Sequence, residues 1–228
     1  MIVGLGPVNE RALPNIGLLV FPGAEELDFV GPWEVFATAE SIARGRLGHA
    51  EHVWLIAERA EPFRCGKGMK VIPDHDFESV PKLDVLLAPG GMGTRGEANN
   101  KKLLAWARDR ATEATWITSV CTGALLLCAA GLTSGKRITT HWSFADQLAA
   151  RFPDVTVAAD ERVIFDGNLV TSAGVSAGID MALMLLARLY DDELAQKTQK
   201  YIQYDPQPPY DVEFDLNVVV PKAANAAS

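Results

Sequence analysis

The sequence predicts an α/β fold, a mostly parallel central sheet with helices on both faces. Three observations carry this. Short runs that are apolar throughout, rather than alternating, recur along the chain, as in strands buried on both faces. Glycine or proline punctuates the ends of several of them. Between them lie stretches with apolar residues at helical spacing, and strands that alternate with helices build parallel sheets.

Residues 16–21, Ile-Gly-Leu-Leu-Val-Phe, are the first run, stopped by Pro22 and Gly23. From Glu25 to Ala43, Leu27, Val30, Val35, Phe36, Ala39 and Ile42 follow a helical spacing, with Pro32 expected to start or kink the helix. Residues 52–57 form a second strand, followed by a polar stretch with short β-like pieces through Cys65 and residues 71–72. The third strand, residues 83–88, runs into Pro89-Gly-Gly-Met-Gly93. A helix over 99–111 leads to a fourth strand over 115–120, and Cys121, Thr122 and Gly123 follow at once. Residues 124–130 are helical in composition and closed by Gly131; 137–140 and 143–151 read as a short strand and a short helix. The D-G turn at Asp166-Gly-Asn168 joins 161–165 and 169–172 into a hairpin. Residues 176–190 form a strongly apolar helix. The organisation is thus an N-terminal extension over 1–14, one domain over 15–204, and an arm or tail over 205–228. Asp205-Pro-Gln-Pro-Pro-Tyr210 excludes helix and central strand there.

Composition excludes several function classes. The 228 residues carry a net charge of −8 with no offsetting basic cluster, so nucleic acid is not an expected partner. The longest apolar stretch, residues 124–132, is less than half of the roughly 20 residues a membrane span needs. Cys65, Cys121 and Cys128 form no CxxC, and the four histidines form no HExxH, so no metal is expected. The few, odd-numbered cysteines suggest a reducing compartment, and residues 1–14 lack the pattern of a signal peptide; the cytoplasm is the expected address.

The sharpest local feature is the corner at Cys121. An apolar strand ends, a cysteine occupies the turn, and a glycine-containing helix begins. Such a turn holds a side chain at the carboxyl edge of the sheet, where open α/β folds bind ligands. Free backbone N–H groups and the positive helix end favour a thiolate, with a pKa expected to fall from about 8.5 into the range of about 3.5–7.5. Spacing alone leaves open whether Cys121 is this nucleophile or a small buried hydrophobe. Cys128 reads as core among leucines, Cys65 as a surface thiol with no assigned role, and His141 as a hydrogen-bonded structural residue.

Several segments recur together in one known group: Leu27-Asp-x-x-Gly-Pro32, Pro89-Gly-Gly91, Ser119-Val-Cys-Thr-Gly123, Thr139-Thr-His-Trp142 and Gly174-x-x-x-Gly-Ile-Asp180. The chain resembles the ThiJ/PfpI superfamily, with its flavodoxin-like, class I glutamine amidotransferase-like sandwich, over about residues 15–210. Thr122 after the cysteine, together with Asp28, is similar to the isocyanide hydratase branch. Glyoxalase- and peptidase-like branches place histidine where Thr122 stands, and many relatives have glutamate where this chain has Asp28.

The resemblance implies hydration of an isocyanide to an N-substituted formamide, with Cys121 as nucleophile and Asp28 as proton carrier, neither Glu25 nor Glu26 standing in for it. Backbone N–H groups of Gly91 and Thr122 are the candidates to stabilise charge, and Gly90, Gly174, Val175 and Ser176 to line the substrate site. Ser176 can also cap the last helix. No cofactor is implied, and a homodimer is. A glyoxalase- or hydrolase-type enzyme and a non-catalytic redox-sensing module are the competing expectations. Some regulators carry this domain before paired helix-turn-helix units, for which the stretch after Tyr210 leaves no room.

Overall fold

The computed structural model describes residues 13–45 and 48–210. The expectations for residues 1–12 and 211–228 lie outside the described residues.

Seven strands form the central sheet in the order β10-β11-β7-β6-β1-β2-β5. These are β1 (Ile16–Leu19), β2 (Val53–Ala57), β5 (His75–Asp76), β6 (Val85–Ala88), β7 (Trp116–Val120), β10 (Val163–Asp166) and β11 (Leu169–Ser172). All neighbours are parallel except β10 and β11, the hairpin around Asp166 and Gly167. The uniformly apolar runs are explained by burial: every residue of β1, β6 and β11 is buried. Two small pairs sit outside this sheet, β3 (Phe63–Arg64) with β4 (Lys70–Val71), and β8 (Arg137–Ile138) with β9 (Thr156–Val157). The expected strand over 137–140 is therefore shorter and belongs to the second pair.

The helices are α1 (Glu26–Ala43), α2 (Thr94–Glu97), α3 (Lys101–Glu113), α4 (Ala124–Ala129), α5 (Ala145–Arg151), α6 (Ala177–Leu189) and α7 (Asp192–Tyr201). They cover the sheet in two sets: α1, α6 and α7 pack on one another, and α4 packs on α2 and α3. Helix α1 does not start at Pro32; it begins six residues earlier and carries the proline inside. Because proline has no N–H, the Asp28 carbonyl four residues before it has no helical partner there.

The sequence reading left residues 191–204 unassigned, yet α7 is capped as its composition demands. Asp191 accepts the Leu194 N–H at 2.8 Å, Asp192 and Glu193 lie in the first turn, and Lys200 lies in the last. Only Leu194, Ala195 and Thr198 are buried, so its apolar stripe is thin.

Parallel strands leave their carboxyl ends on one edge. There the residues after β1, β6 and β7 converge: the start of α1, the Pro89–Gly93 turn, and the corner at Cys121.

Candidate active site

Cys121 is held at a strained corner. Its φ is +57°, in the left-handed region that costs a non-glycine residue about 1–3 kcal/mol. Both flanking peptide groups are tied down: its N–H donates to Ala173 O at 2.8 Å, and its carbonyl accepts the Thr140 hydroxyl at 2.8 Å. The turn Cys121–Gly123 is a single 3-10 turn running into α4. A β-carbon on Gly123 would lie 2.0 Å from Ala88 O, so only glycine lets the corner sit this close to the end of β6.

Asp28 lies in the first turn of α1 with no solvent exposure. Its Oδ2 accepts the Gly90 N–H at 2.8 Å, while Oδ1 is buried with no hydrogen-bond partner. Burial pushes this carboxyl up to about 7. The Gly90 N–H opposes the rise, Glu25 adds to it, and the neighbouring Cys121 side chain and the charge of Lys67 oppose it. The Asp28 carboxyl and the Cys121 sulfur are therefore brought together.

Sequence reasoning mistook the sign at the sulfur. It expected main-chain dipoles to hold a thiolate. Burial instead pushes the Cys121 thiol up to about 12, and the Asp28 carboxylate adds to the rise; the Thr122 N–H and hydroxyl lower it without reversing it. Cys121 is only 6% exposed, so its thiol is largely desolvated, and one short turn cannot replace that hydration. The first proton to leave the pair comes off the carboxyl rather than the sulfur. The two groups titrate together.

Glu25 and Glu26, the other acids at this end of α1, are engaged elsewhere. Glu25 pairs with Lys67 at 2.9 Å, and Glu26 Oε1 accepts the N–H groups of Lys67 and Met69. Both partners belong to the loop between β3 and β4.

The Gly90–Gly91 turn holds both Asp28 and Thr122. A β-carbon at 90 would stand 2.6 Å from Thr122 N and 2.7 Å from Asp28 Oδ2, so glycine is what allows the approach. The Gly91 N–H, expected to be free to stabilise charge, is already committed: it donates to Thr122 Oγ1 at 3.0 Å. Gly90 likewise spends its N–H on Asp28 rather than on a substrate. The Thr122 N–H is the main-chain donor that bears on the sulfur.

Arg95 was not anticipated. Its Nη1 lies 3.1 Å from Gly91 O, 3.1 Å from Thr94 Oγ1 and 3.4 Å from Thr122 Oγ1, and its guanidinium stacks 4.6 Å above the Phe144 ring. No sequence spacing announces it, because its partners come from three separate segments.

Gly174, Val175 and Ser176 line a cavity of about 730 Å³ together with Leu27, His141 and Trp142. It adjoins the corner through Ala173, whose carbonyl holds the Cys121 N–H. Ser176 occupies the cap position of α6 but makes no side-chain cap bond; its hydroxyl is instead 3.3 Å from Arg162 Nη2. His141 is hydrogen-bonded as expected: Nδ1 accepts the Ser143 N–H at 3.3 Å and caps the 3-10 turn Trp142–Phe144. Burial, with the charge of Arg95, holds its imidazole below the usual histidine range. Cys65 is not a surface thiol; it is buried, and burial with Glu26 pushes it up to about 11. Cys128 is core, with the Thr133 hydroxyl 3.2 Å from its sulfur. Among the described residues no three His, Cys, Asp or Glu side chains converge as a metal would require.

Comparison with known proteins follows the same lines. The DJ-1/PfpI family model matches residues 14–188. The chain is 38% identical to the isonitrile hydratase of Pseudomonas putida over 197 residues, 86% of this chain and 81% of that one. Among solved structures it is similar to a ThiJ/PfpI family protein from Pseudomonas syringae, with TM-score 0.79, 36% identity, and 92% and 84% of the two chains covered. It is also similar to Drosophila melanogaster DJ-1beta, with TM-score 0.74 and 25% identity over 86% of this chain and all of that one.

Proposed function

Because the chain belongs to the DJ-1/PfpI family, we propose that it hydrates isocyanides (isonitriles) to N-substituted formamides. The likeness to an isonitrile hydratase supports the substrate class. The observation that carries the reading is the buried Asp28 carboxyl, with a pKa near 7, set against the Cys121 sulfur. A proton carrier works best when its pKa lies near the operating pH. The terminal carbon of an isocyanide must gain both a nucleophile and a proton, and this pair holds one of each.

In the first step Asp28 takes the proton from Cys121 Sγ, and the sulfur forms a bond to the terminal carbon. Asp28 returns the proton to that same carbon, giving a thioimidate, R–N=CH–S–Cys121. In the second step Asp28 takes a proton from water as its oxygen bonds to the carbon. The C–S bond breaks, the proton returns to the sulfur, and R–N=CH–OH rearranges to the formamide. The Thr122 N–H, already directed at the sulfur, steadies negative charge there. The Gly91 N–H would have to release Thr122 to do the same. The cavity beside Gly174, Val175 and Ser176 receives the R group.

The reading includes a homodimer acting in the cytoplasm without a cofactor. No helix among the described residues is long and apolar enough to cross a membrane.

The test is turnover of para-nitrophenyl isocyanide to its formamide. We expect wild type to be active and Cys121→Ala to lose activity by about 10³-fold or more. No turnover across a panel of isocyanides, with Cys121 reduced, overturns the reading. Faster turnover of methylglyoxal than of any isocyanide replaces it with carbonyl chemistry.

A further inference from the structure

We propose that Arg95 is a positioning residue: a cation that ties the turn gripping Asp28 to the threonine following Cys121, and favours negative charge at the Cys121 sulfur. The inference deepens the hydration reading and rests on it.

The geometry is that of a hub. One nitrogen, Nη1, faces the Gly91 carbonyl and the hydroxyls of Thr94 and Thr122 within 3.1–3.4 Å. The Gly91 carbonyl also accepts the Thr94 hydroxyl at 2.7 Å and lies 3.3 Å from Thr122 Oγ1. One residue earlier, the Gly90 N–H holds Asp28 and the Gly90 carbonyl accepts the Glu25 N–H at 2.9 Å. One residue before Thr122 stands Cys121. Arg95 thus bridges the two segments on which the reacting groups are mounted, and its plane is braced against Phe144 in a third.

The charge is as informative as the bonds. Guanidinium stays protonated in proteins. Arg95 is half-buried, yet among the described residues it makes no ion pair with a carboxylate. Every oxygen its side chain bonds is neutral. A half-buried cation without a counter-ion is costly, and the acidic group it acts on is the Cys121 thiol.

The other charges around the pair arise from distinct elements. Glu25, ahead of α1, opposes ionisation of both Asp28 and Cys121. Lys67, from the β3–β4 loop, offsets Glu25 and favours ionisation of Asp28. His141, ahead of the 3-10 turn, is shifted toward its neutral form by burial and by Arg95 itself. Arg95 is then the cation on the α2 side, and the charge it brings there is one a lysine also carries.

The test reads the sulfur without needing turnover. Wild type, Arg95→Gln and Arg95→Lys, each checked for native near-UV circular dichroism, are alkylated with iodoacetamide from pH 5 to 9. Modification at Cys121 is followed by fragment-ion mass spectrometry, which separates it from Cys128. Arg95→Gln should slow alkylation of Cys121 about tenfold at each pH in this range, which lies below the thiol's own pKa. Arg95→Lys should keep the rate within about twofold of wild type. With the isocyanide, Arg95→Gln should lower kcat with little change in KM. An unchanged rate in Arg95→Gln overturns the proposal, as does an equal loss in Arg95→Lys. If Arg95→Gln does not fold, Arg95→Met replaces it; failure of both makes Arg95 part of the fold and also overturns the proposal. Wild type without isocyanide turnover sinks the hydration reading, while the alkylation profiles still decide the role of Arg95.

Discussion

Helix α1 carries three buried carboxylates, and the two least accessible are Asp28 in its first turn and Glu40 near its end, with 0% and 4% exposure. Glu40 is fully provided for. Arg44 Nη1 and the Glu51 N–H reach Oε1 at 2.8 Å each, and the His52 N–H reaches Oε2 at 3.1 Å. Burial pulls its pKa upward, but these donors win and leave it below the usual carboxylate range. Asp28 has one main-chain donor and an orphaned oxygen, and burial wins. On the same helix the outcomes are opposite, because Asp28 is the more deeply desolvated of the two and has the fewer donors. The well-served carboxylate anchors the loop before β2. The under-served one faces a cysteine in a strained conformation, and such local shortfalls are where chemistry is found.

Three substitutions probe this contrast. The largest effect is expected for Asp28→Asn. The amide oxygen can still accept the Gly90 N–H, so the variant should fold, while isocyanide turnover falls about 10²–10⁴-fold. Wild-type activity in this variant would remove Asp28 from the mechanism.

Its stability should change with pH in a defined direction. The folded pKa near 7 lies above the ordinary 3.8, so the folded state prefers the neutral acid. That preference is fully present below pH 3.8 and is lost as pH rises through 7, a change on the order of 4 kcal/mol. Urea midpoints of wild type should carry this fall, and those of Asp28→Asn should not.

Glu40→Ala comes next and inverts the pattern. It strands two main-chain N–H groups and leaves Arg44 only its Glu51 partner, and should cost about 2–4 kcal/mol with activity per folded molecule unchanged. The Glu40 contribution is present above the ordinary pKa of 4.5 and is lost as pH falls through its lower folded value. Acid unfolding of this variant should therefore lose steepness below about pH 4.5. A parallel acid limb in wild type and variant would show that Glu40 does not distinguish the two states.

The smallest effect belongs to Asp191→Ala. Removing the cap of α7 should cost about 1 kcal/mol by urea unfolding, without loss of turnover. A larger loss of activity than of stability would tie α7 to the site and blur the separation drawn on α1.

The sheet was readable because its strands are buried on both faces, so each is an unbroken apolar run. Helix α7 escaped because its buried stripe is only Leu194, Ala195 and Thr198. Its signal lay in Asp191, the two acids after it and Lys200, a capping pattern rather than a hydrophobic one. At the site, Cys121 and Asp28 were readable through recurring segments. The protonation order was not, since helix ends can be read from sequence while burial of a sulfur depends on what packs over it. Arg95 and the engaged Gly91 N–H were hidden for a related reason. Their partner Thr122 lies 27 and 31 residues away, and nothing local encodes the meeting.

The close seats of Gly123 against Ala88 and of Gly90 against Thr122 have one more consequence. With no room for even a methyl group at either seam, the spacing between the acid's backbone and the sulfur's backbone acts as a fixed gauge. Evolution or engineering can retune the gap only through the length of the side chain at position 28. A carboxylate one methylene longer would reach differently toward the sulfur without any shift of the scaffold.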